Sequence, residues 1–119
     1  MAIKVYQYPK CSTCRKALKW LDEHGVEYAA TDLVASPPST STLRDLHARS
    51  GLPIARFFNT SGESYRAGGF KARLAGMTER EAISALAADG KLIKRPILDT
   101  GSAVLVGFHE ATYAASLKA

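Results

Sequence analysis

Two cysteines are the residues of this sequence best suited to chemistry, and only two residues separate them. They are Cys11 and Cys14, within the sequence YPKCSTCRK. An apolar strand pattern over residues 3–7 ends just before them, and a helical pattern with i, i+3, i+4, i+7 spacing begins at Cys14. Cys11 is therefore predicted at a strand-to-helix junction, at or next to the first helical residue.

That position predicts a reactive thiol at Cys11. The free backbone N–H groups and the dipole of a helix N-terminus stabilise a negative charge, so the pKa of Cys11 should fall. Lys10, Arg15 and Lys16 place positive charge nearby in the sequence. Cys14 follows one turn later on the same helix face, near enough to form a disulfide with Cys11. The pair therefore has the arrangement of a reactive dithiol.

Two other roles for the cysteines remain open at this point. They could be buried thiols without a chemical role, or half of a zinc site. A structural zinc site takes four ligands, and the three histidines, His24, His47 and His109, do not lie at a spacing typical of zinc ligands. A C-x-x-C near a β-α-β pattern instead favours a redox pair. We therefore predict no metal site, no tightly bound cofactor and no special role for the histidines.

The composition is that of an ordinary globular chain. The chain has 119 residues, of which 46% are hydrophobic and 23% charged, and this suits one domain over residues 1–119. No apolar run approaches the roughly 20 residues of a membrane span. The first residues continue directly into a strand pattern rather than a secretory signal. We expect a cytoplasmic location and no membrane association, and we take the chain to be a monomer.

The net charge is positive, at +5, from 16 Lys and Arg against 11 Asp and Glu. The basic residues are spread along the chain, without the alternation of basic and aromatic residues found in RNA-binding motifs and without a recognition helix. Direct nucleic-acid binding is therefore not expected. A positive site that attracts anionic small molecules or an acidic protein partner is consistent with this charge.

A β-α-β unit is predicted at the start of the chain. Its helix covers about residues 12–23 and is stopped by Gly25, and its second strand covers about residues 27–32. Such a connection should be right-handed, with the two strands parallel. The Ser/Thr/Pro-rich segment that follows, residues 35–41, is predicted to be a loop.

Helices are predicted in the middle of the chain. One begins near Thr42, where Asp45 would complete a capping box. Residues 59–70 are rich in glycine and polar side chains and are predicted to form a loop. Thr78 and Glu81 form a second capping box, which opens another helix.

An antiparallel hairpin and a helix complete the predicted elements. The strands lie at about residues 97–98 and 103–106, and the helix covers about residues 110–117. The order therefore predicts the α/β class. The sheet would be mixed and four-stranded, with a helical insertion over about residues 39–90 between the β-α-β and β-β-α halves.

This order of elements is the plan of the thioredoxin-like fold. Pro96 fits the plan, because proline is tolerated at the first residue of a strand. In thioredoxin-like folds a cis-proline at this position faces the cysteine pair. We therefore predict a cis bond between Arg95 and Pro96, with Arg95 beside Cys11.

Several spaced motifs point to a family. They are YPKCSTCRKA at residues 8–17, FFNTSG at 57–62, LIKRPI at 92–97 and VGF at 106–108. With these motifs the chain resembles the ArsC/Spx family of thioredoxin-like proteins over essentially its whole length. The resemblance is greatest to the ArsC-like branch described as Spx- or YffB-type reductases.

The resemblance implies a role for individual residues. In the family's arsenate reductases one N-terminal cysteine is the nucleophile, glutathione and glutaredoxin complete the cycle, and Cys11 matches this cysteine. Of their three arginines around the oxyanion, Arg95 matches one, whereas the other two fall at Asn59 and near Gly107. Two missing guanidinium groups disfavour oxyanion binding. Cys14 stands where many arsenate reductases have serine, which implies a resolving thiol of the chain's own.

The function predicted from these features is that of a thiol–disulfide oxidoreductase acting on a small-molecule or protein disulfide. Glutathione is the expected co-substrate, and glutaredoxin or thioredoxin is the expected protein partner. One alternative is an arsenate reductase that depends on glutathione and glutaredoxin. The other is an Spx-like redox-sensing regulator that binds the RNA polymerase α subunit.

The predicted site residues form two groups. The catalytic group is Cys11, Cys14 and Arg95. The second group would bind substrate around Cys11 and consists of Lys10, Ser12, Thr13, Arg15, Asn59, Thr60 and Pro96.

Overall fold

A four-stranded sheet lies at the centre of the computed structural model, which describes residues 3–117. Its strands are β1 (Lys4–Gln7), β2 (Ala29–Asp32), β3 (Ile97–Asp99) and β4 (Val104–Val106). Their order in the sheet is β2–β1–β3–β4. β1 and β2 are parallel, whereas β3 is antiparallel to both β1 and β4. The predicted α/β class and mixed sheet are thereby confirmed. The first two and last two residues of the predicted domain lie outside the described residues.

Helices connect the strands and cover both faces of the sheet. The α-helices are α1 (Ser12–Glu23), α2 (Thr40–Ser50), α3 (Glu63–Ala67), α4 (Phe70–Arg73), α5 (Glu79–Ala88) and α6 (Glu110–Leu117). Short 3-10 segments follow α2, α4 and α5, at Ile54–Phe57, Leu74–Gly76 and Gly90–Leu92. Within residues 3–117, no helix combines the length and the apolar composition that crossing a membrane requires.

The alternating side chains of β1 separate two apolar clusters, because successive residues of a strand point to opposite faces. Val5 belongs to the cluster that contains Trp20 of α1 and Tyr113 of α6. Tyr6 belongs to the cluster that contains Leu46 of α2. Burial of each large apolar side chain contributes about 1.5–3 kcal/mol. The helix that carries both cysteines is therefore held firmly against one face of the sheet.

A partly buried ion pair attaches α2 to β3. Arg49 donates from Nη1 and Nη2 to the two carboxylate oxygens of Asp99, each at 2.8 Å, and Nη2 also donates to Asp45 at 2.8 Å. The hydrogen bonds from Arg49 hold the pKa of Asp99 below its usual range, although partial burial opposes this effect. The strand that follows Pro96 is thereby fixed to a helix on the far side of the sheet from α1.

The start of α2 differs from the prediction, whereas the start of α5 agrees with it. α2 begins two residues earlier than predicted, because the side chain of Ser39 accepts a hydrogen bond from the Thr42 amide at 3.2 Å. Asp45 therefore closes no capping box. The capping box of α5 is confirmed: the Thr78 amide donates to Glu81 Oε1 at 2.9 Å, and the Glu81 amide donates to Thr78 Oγ1 at 3.2 Å.

The structure also differs from the prediction over residues 59–70, which were predicted to form a loop. This segment contains α3 and the start of α4. The rings of Tyr65 and Phe70 stack with centroids 6.2 Å apart, and Phe70 lies 5.6 Å from the ring of Phe58. These aromatic contacts stabilise short helices in a glycine-rich segment whose local sequence predicts none.

Candidate active site

Cys11 is the N-cap residue of α1. Its backbone is extended, with φ −88° and ψ 120°, and its amide donates to the carbonyl oxygen of Tyr8 at 2.9 Å. The amide of Cys14 donates to Cys11 Sγ at 3.4 Å. The sulfur thus occupies the place that a capping oxygen takes in other helices. The predicted position of Cys11, at the junction of strand and helix, is confirmed.

Opposing effects set the pKa of Cys11. Partial burial raises it, because a charged sulfur is separated from water. Hydrogen bonds from the backbone and side chain of Cys14 lower it, and so does the Arg95 guanidinium. The lowering effects dominate, so the pKa of Cys11 lies below that of an ordinary thiol. The thiolate therefore forms first at this residue.

Cys14 is buried one turn further along α1. It is 0% exposed, and burial, together with the neighbouring Cys11, raises its pKa to about 12. The Cys14 thiol therefore keeps its proton while Cys11 is ionised. When the Cys11 sulfur enters a disulfide, it loses its charge, and the contribution of that charge to the raised pKa of Cys14 disappears. Cys14 thus becomes easier to deprotonate after Cys11 has reacted.

Arg95 keeps hydrogen-bonding capacity beside Cys11. It precedes a cis peptide bond to Pro96, as predicted, and its guanidinium carbon lies 5.0 Å from the centre of the Tyr8 ring. Nη1 donates to the carbonyl oxygens of Lys91 and Ile93 at 3.3 and 3.4 Å, which are long hydrogen bonds. Within residues 3–117, the buried Nε has no hydrogen-bond partner. The guanidinium can therefore still donate to a thiolate or a substrate.

A cavity of about 440 Å³ opens beside Cys11. Its cationic lining comes from Arg56, Lys94 and Arg95, and no carboxylate belongs to the lining within residues 3–117. The other lining residues come from the start of α1, the segment after Phe58, and β4 with the loop that follows it: Thr13, Asn59, Ser61, Val106, Gly107, Phe108 and His109. The cavity thus combines a nucleophilic sulfur with an excess of positive charge.

A larger cavity, of about 600 Å³, lies between α2 and α5. His47 and Glu79 line it, with His47 Nδ1 and Glu79 Oε1 3.2 Å apart. No cysteine lines this cavity. The chemistry available to the chain therefore places the candidate active site at Cys11.

The sequence profile of the ArsC family matches residues 6–116. This chain belongs to the ArsC family. The match includes the cysteine pair and every residue that lines the Cys11 cavity, and it confirms the resemblance drawn from the motifs. A close curated relative is the uncharacterised protein YusI of Bacillus subtilis. It is 49% identical over 110 residues, which cover 92% of this chain and 93% of the relative.

Solved structures share the fold of this ArsC-family protein. A protein of Bacteroides fragilis related to the ArsC family has a TM-score of 0.93 at 43% identity, covering 97% of both chains. A Streptococcus mutans protein described as a possible arsenate reductase has a TM-score of 0.88 at 43% identity, covering 96% of this chain and 97% of the other. A glutaredoxin of Archaeoglobus fulgidus, at 11% identity and a TM-score of 0.50, shares the fold alone over 100% of this chain and 89% of its own. The predicted thioredoxin-like fold is confirmed.

Transcriptional regulators are also relatives of this ArsC-family chain. The global transcriptional regulator Spx 1 of Lactococcus lactis is 24% identical over 108 residues, which cover 91% of this chain and 83% of the relative. The protein is therefore an arsenate-reductase-like member of a family that also contains regulators.

The predicted substrate-binding residues separate into three sets in the structure. Thr13 and Asn59 line the cavity together with Cys11 and Arg95. Pro96 is buried, and its carbonyl oxygen accepts a hydrogen bond from the Gly107 amide at 2.8 Å, which shapes the cavity wall indirectly. The others are exposed and lie outside the cavity lining: Lys10, Ser12, Arg15 and Thr60.

Among the cavity residues that were not predicted as site residues, those with basic side chains are Arg56, Lys94 and His109. A short backbone ladder brings the first two together, because Phe58 pairs with Ile93 as an antiparallel bridge. Its flanking hydrogen bonds, from residue 94 to residue 57 and from residue 59 to residue 92, are both 2.7 Å long. The pairing joins segments that are far apart in the chain, and no local sequence pattern predicts it.

Gly107 has a conformation that disfavours the arginine expected near it from the family pattern. Its φ is +89°, a region that residues with a side chain rarely adopt. Its amide bonds to Pro96 and its carbonyl oxygen accepts from the buried Tyr113 hydroxyl at 2.9 Å. Hydrogen bonds at its amide and its carbonyl oxygen therefore hold Gly107 in place in the loop after β4, where it lines the cavity.

Arg95→Gln is expected to raise the pKa of Cys11, because the substitution removes a positive charge and keeps most of the side-chain length. The loss of charge-assisted contacts should lower kcat/KM for disulfide reduction roughly tenfold. Thiolate absorbance during a pH titration measures the pKa. Arg15→Gln is the matched control, because Arg15 is exposed and outside the cavity lining. An unchanged pKa in Arg95→Gln would contradict the assigned role.

Proposed function

We propose that this ArsC-family protein is a thiol–disulfide oxidoreductase whose Cys11 and Cys14 alternate between a dithiol and a disulfide. The observation that carries the proposal is the placement of the two thiols one helical turn apart, with Cys11 at the cavity and Cys14 fully buried behind it. The pKa of Cys11 is lowered at a cavity, whereas that of Cys14 is raised to about 12 behind it. Such a pair supplies a nucleophile that faces substrate and a second thiol that acts later.

The proposed reaction has two displacement steps. In the first, the Cys11 thiolate attacks one sulfur of the substrate disulfide, a bond forms between these sulfurs, and the other half of the substrate leaves as a thiolate. In the second, Cys14 releases its proton to solvent and attacks Cys11 Sγ, the bond from Cys11 to the substrate sulfur breaks, and the remaining half of the substrate leaves as a thiolate. The substrate thereby gains two electrons, which the cysteine pair loses in forming its disulfide.

A cellular thiol must then return the electrons. Two glutathione molecules can do so, each losing one electron as they become oxidised glutathione, and so can the dithiol of a glutaredoxin or thioredoxin. During the cycle Arg95 and the N-terminus of α1 stabilise the Cys11 thiolate. Thr13 and Asn59 contact the substrate from the cavity wall. The cycle uses no tightly bound cofactor.

Arsenate reduction by the same Cys11 is the alternative that the family relationship supports. Asn59 lines the cavity at one position where the family pattern has a further arginine, and Gly107 lines it near the other. Neither provides a guanidinium. Arg56 and Lys94 place positive charge elsewhere in the lining, so a small oxyanion at the sulfur would lack the two bidentate contacts of the family pattern. A disulfide requires no such contacts, and we therefore favour it as the substrate.

Parallel assays with a disulfide and with arsenate test the proposal. Each would contain glutathione, glutathione reductase and NADPH, and the disulfide would be bis(hydroxyethyl) disulfide. We expect turnover of the disulfide above the rate of glutathione alone, and no arsenate turnover above background. Arsenate turnover that exceeds disulfide turnover would establish the alternative. No turnover of either, together with no oxidation of the reduced protein by the disulfide, would overturn the proposal.

A further inference from the structure

We propose that Arg56 and Lys94 make the Cys11 cavity selective for small disulfides that carry carboxylate groups. The inference rests on the proposed thiol–disulfide chemistry and adds a substrate class to it. Both side chains line the cavity that contains Cys11. They are separate from Arg95, which acts on the thiolate itself.

The first observation is the charge of the cavity. Arg56, Lys94 and Arg95 contribute three positive charges to a volume of about 440 Å³, and no Asp or Glu lines it within residues 3–117. Arg95 is the cation among them that lowers the pKa of Cys11. The other two leave the cavity with an excess of positive charge that a carboxylate-bearing substrate would neutralise.

The second observation concerns the hydrogen-bond and ion-pair partners of the Arg56 and Lys94 side chains. Within residues 3–117, neither side chain donates a hydrogen bond or joins an ion pair. Arg49 differs, because two carboxylates engage its guanidinium. Arg66 also differs, because it donates to the carbonyl oxygen of Ser61 at 3.1 Å. The two cavity cations therefore remain available to a ligand.

The third observation is that backbone pairing holds together the two chain segments that carry these cations. The bridge between Phe58 and Ile93 and the hydrogen bond from the Lys94 amide to the Phe57 carbonyl oxygen align their segments. Phe57, Phe58 and Ile93 are all nearly fully buried. The backbone from which the Arg56 and Lys94 side chains extend is thereby held at the cavity.

The placement of the charge indicates the kind of anion. Asn59 is uncharged at the position of one family arginine and Gly107 is uncharged near the other, whereas Arg56 and Lys94 supply positive charge from other positions in the cavity lining. Such an arrangement suits a negative group that is bonded to the reacting sulfur through several atoms. Charge-assisted hydrogen bonds to a carboxylate would then hold the disulfide while Cys11 attacks it. A peptide thiol such as glutathione has carboxylates of this kind.

The test is a series of three small disulfides that differ in charge. They are dithiodipropionate (a dianion), bis(hydroxyethyl) disulfide (neutral) and cystamine (a dication). The rate of oxidation of the fully reduced protein would be measured in a single turnover for the wild type, Arg56→Gln and Lys94→Gln. Arg80→Gln is the control, because Arg80 is exposed on α5 and lines the larger cavity instead.

The wild type should react faster with the dianion than with the dication, and added salt should weaken this preference. Each cavity variant should lose roughly threefold to tenfold in rate with the dianion, which is the scale of one charge-assisted contact. The rate with the neutral disulfide is the reference for each variant, so the expected loss is a fall in the ratio of dianion to neutral rate, and Arg80→Gln should match the wild type with all three.

Failure of the charge selectivity and failure of the proposed function would give different results. If the wild type reacts with all three disulfides but both cavity variants keep its ratio of dianion to neutral rate, the charge selectivity is overturned and the thiol–disulfide function stands. If the wild type reacts with none of the three, the proposed function itself fails. Thermal melting of each variant establishes that the fold is retained.

Discussion

Cys11→Ser is expected to abolish disulfide reduction. A serine hydroxyl is not ionised near neutral pH and is a poor nucleophile toward sulfur, so the rate should fall roughly a thousandfold or more. The reduced variant would be mixed with bis(hydroxyethyl) disulfide, and both the loss of the disulfide and the mass of the protein would be followed. A rate close to that of the wild type would show that Cys11 is not the nucleophile.

The same substitution should leave the fold intact, which makes its result interpretable. Cys11 is the N-cap of α1, and its sulfur accepts from the Cys14 amide at 3.4 Å. Serine is among the preferred N-cap residues, because its oxygen accepts the same hydrogen bond at a shorter distance. The melting temperature of Cys11→Ser should therefore equal or exceed that of the wild type. A lower value would indicate that the cap geometry differs from the one described.

Cys14→Ser is expected to trap the protein as a mixed disulfide with its substrate. Cys11 would still attack, but release would require a second thiol from solution in place of a neighbour on the same helical turn. Because neighbouring groups react at very high effective concentrations, release at millimolar external thiol should slow roughly a hundredfold or more. Mass spectrometry should show one substrate half bound per protein, at Cys11.

A second variant keeps this prediction testable if the serine destabilises the core. Cys14 is 0% exposed, and burying an unpaired hydroxyl costs about 1–3 kcal/mol. Cys14→Ala introduces no polar atom and should give the same trapped species. If both variants release substrate as fast as the wild type, Cys14 is not the resolving thiol, and a mechanism that uses Cys11 alone with external thiols replaces the proposed one.

Local sequence patterns predicted the elements that depend on local interactions. The strand before Cys11, the helix after it and the capping box at Thr78 and Glu81 each rest on spacings within a few residues. Ser39, Thr40, Ser41 and Thr42 show the limit of this reasoning, because all are residue types that cap helices. Residue type alone cannot decide which of these four adjacent residues is the N-cap, and in the structure it is Ser39.

The short helices α3 and α4 illustrate a different limit. Residues 59–70 contain three glycines and many polar residues, a composition that favours a loop. The helices form there because Tyr65 and Phe70 pack on each other and Phe70 on Phe58. Such tertiary contacts outweigh weak local propensity, and they are not visible from spacing alone.

The candidate site was partly predictable for the same reason. Cys11 and Cys14 lie in one motif, and the Arg-Pro pair at residues 95 and 96 follows from the order of the strands. Arg56 lies 45 positions after Cys11 in the sequence. It reaches the cavity only through the pairing of Phe58 with Ile93. A cation placed by long-range pairing has no signature in a single sequence.

A redox titration of the two cysteines tests the central claim most directly. The protein would be equilibrated with glutathione buffers of increasing oxidised fraction, and the free thiols and protein mass would be measured at each point. We predict a single two-electron transition from the dithiol to a disulfide that joins Cys11 and Cys14, with loss of two hydrogen atoms. If Cys11 only accumulates a mixed disulfide with glutathione, or if both thiols stay free throughout, the proposed dithiol cycle is contradicted.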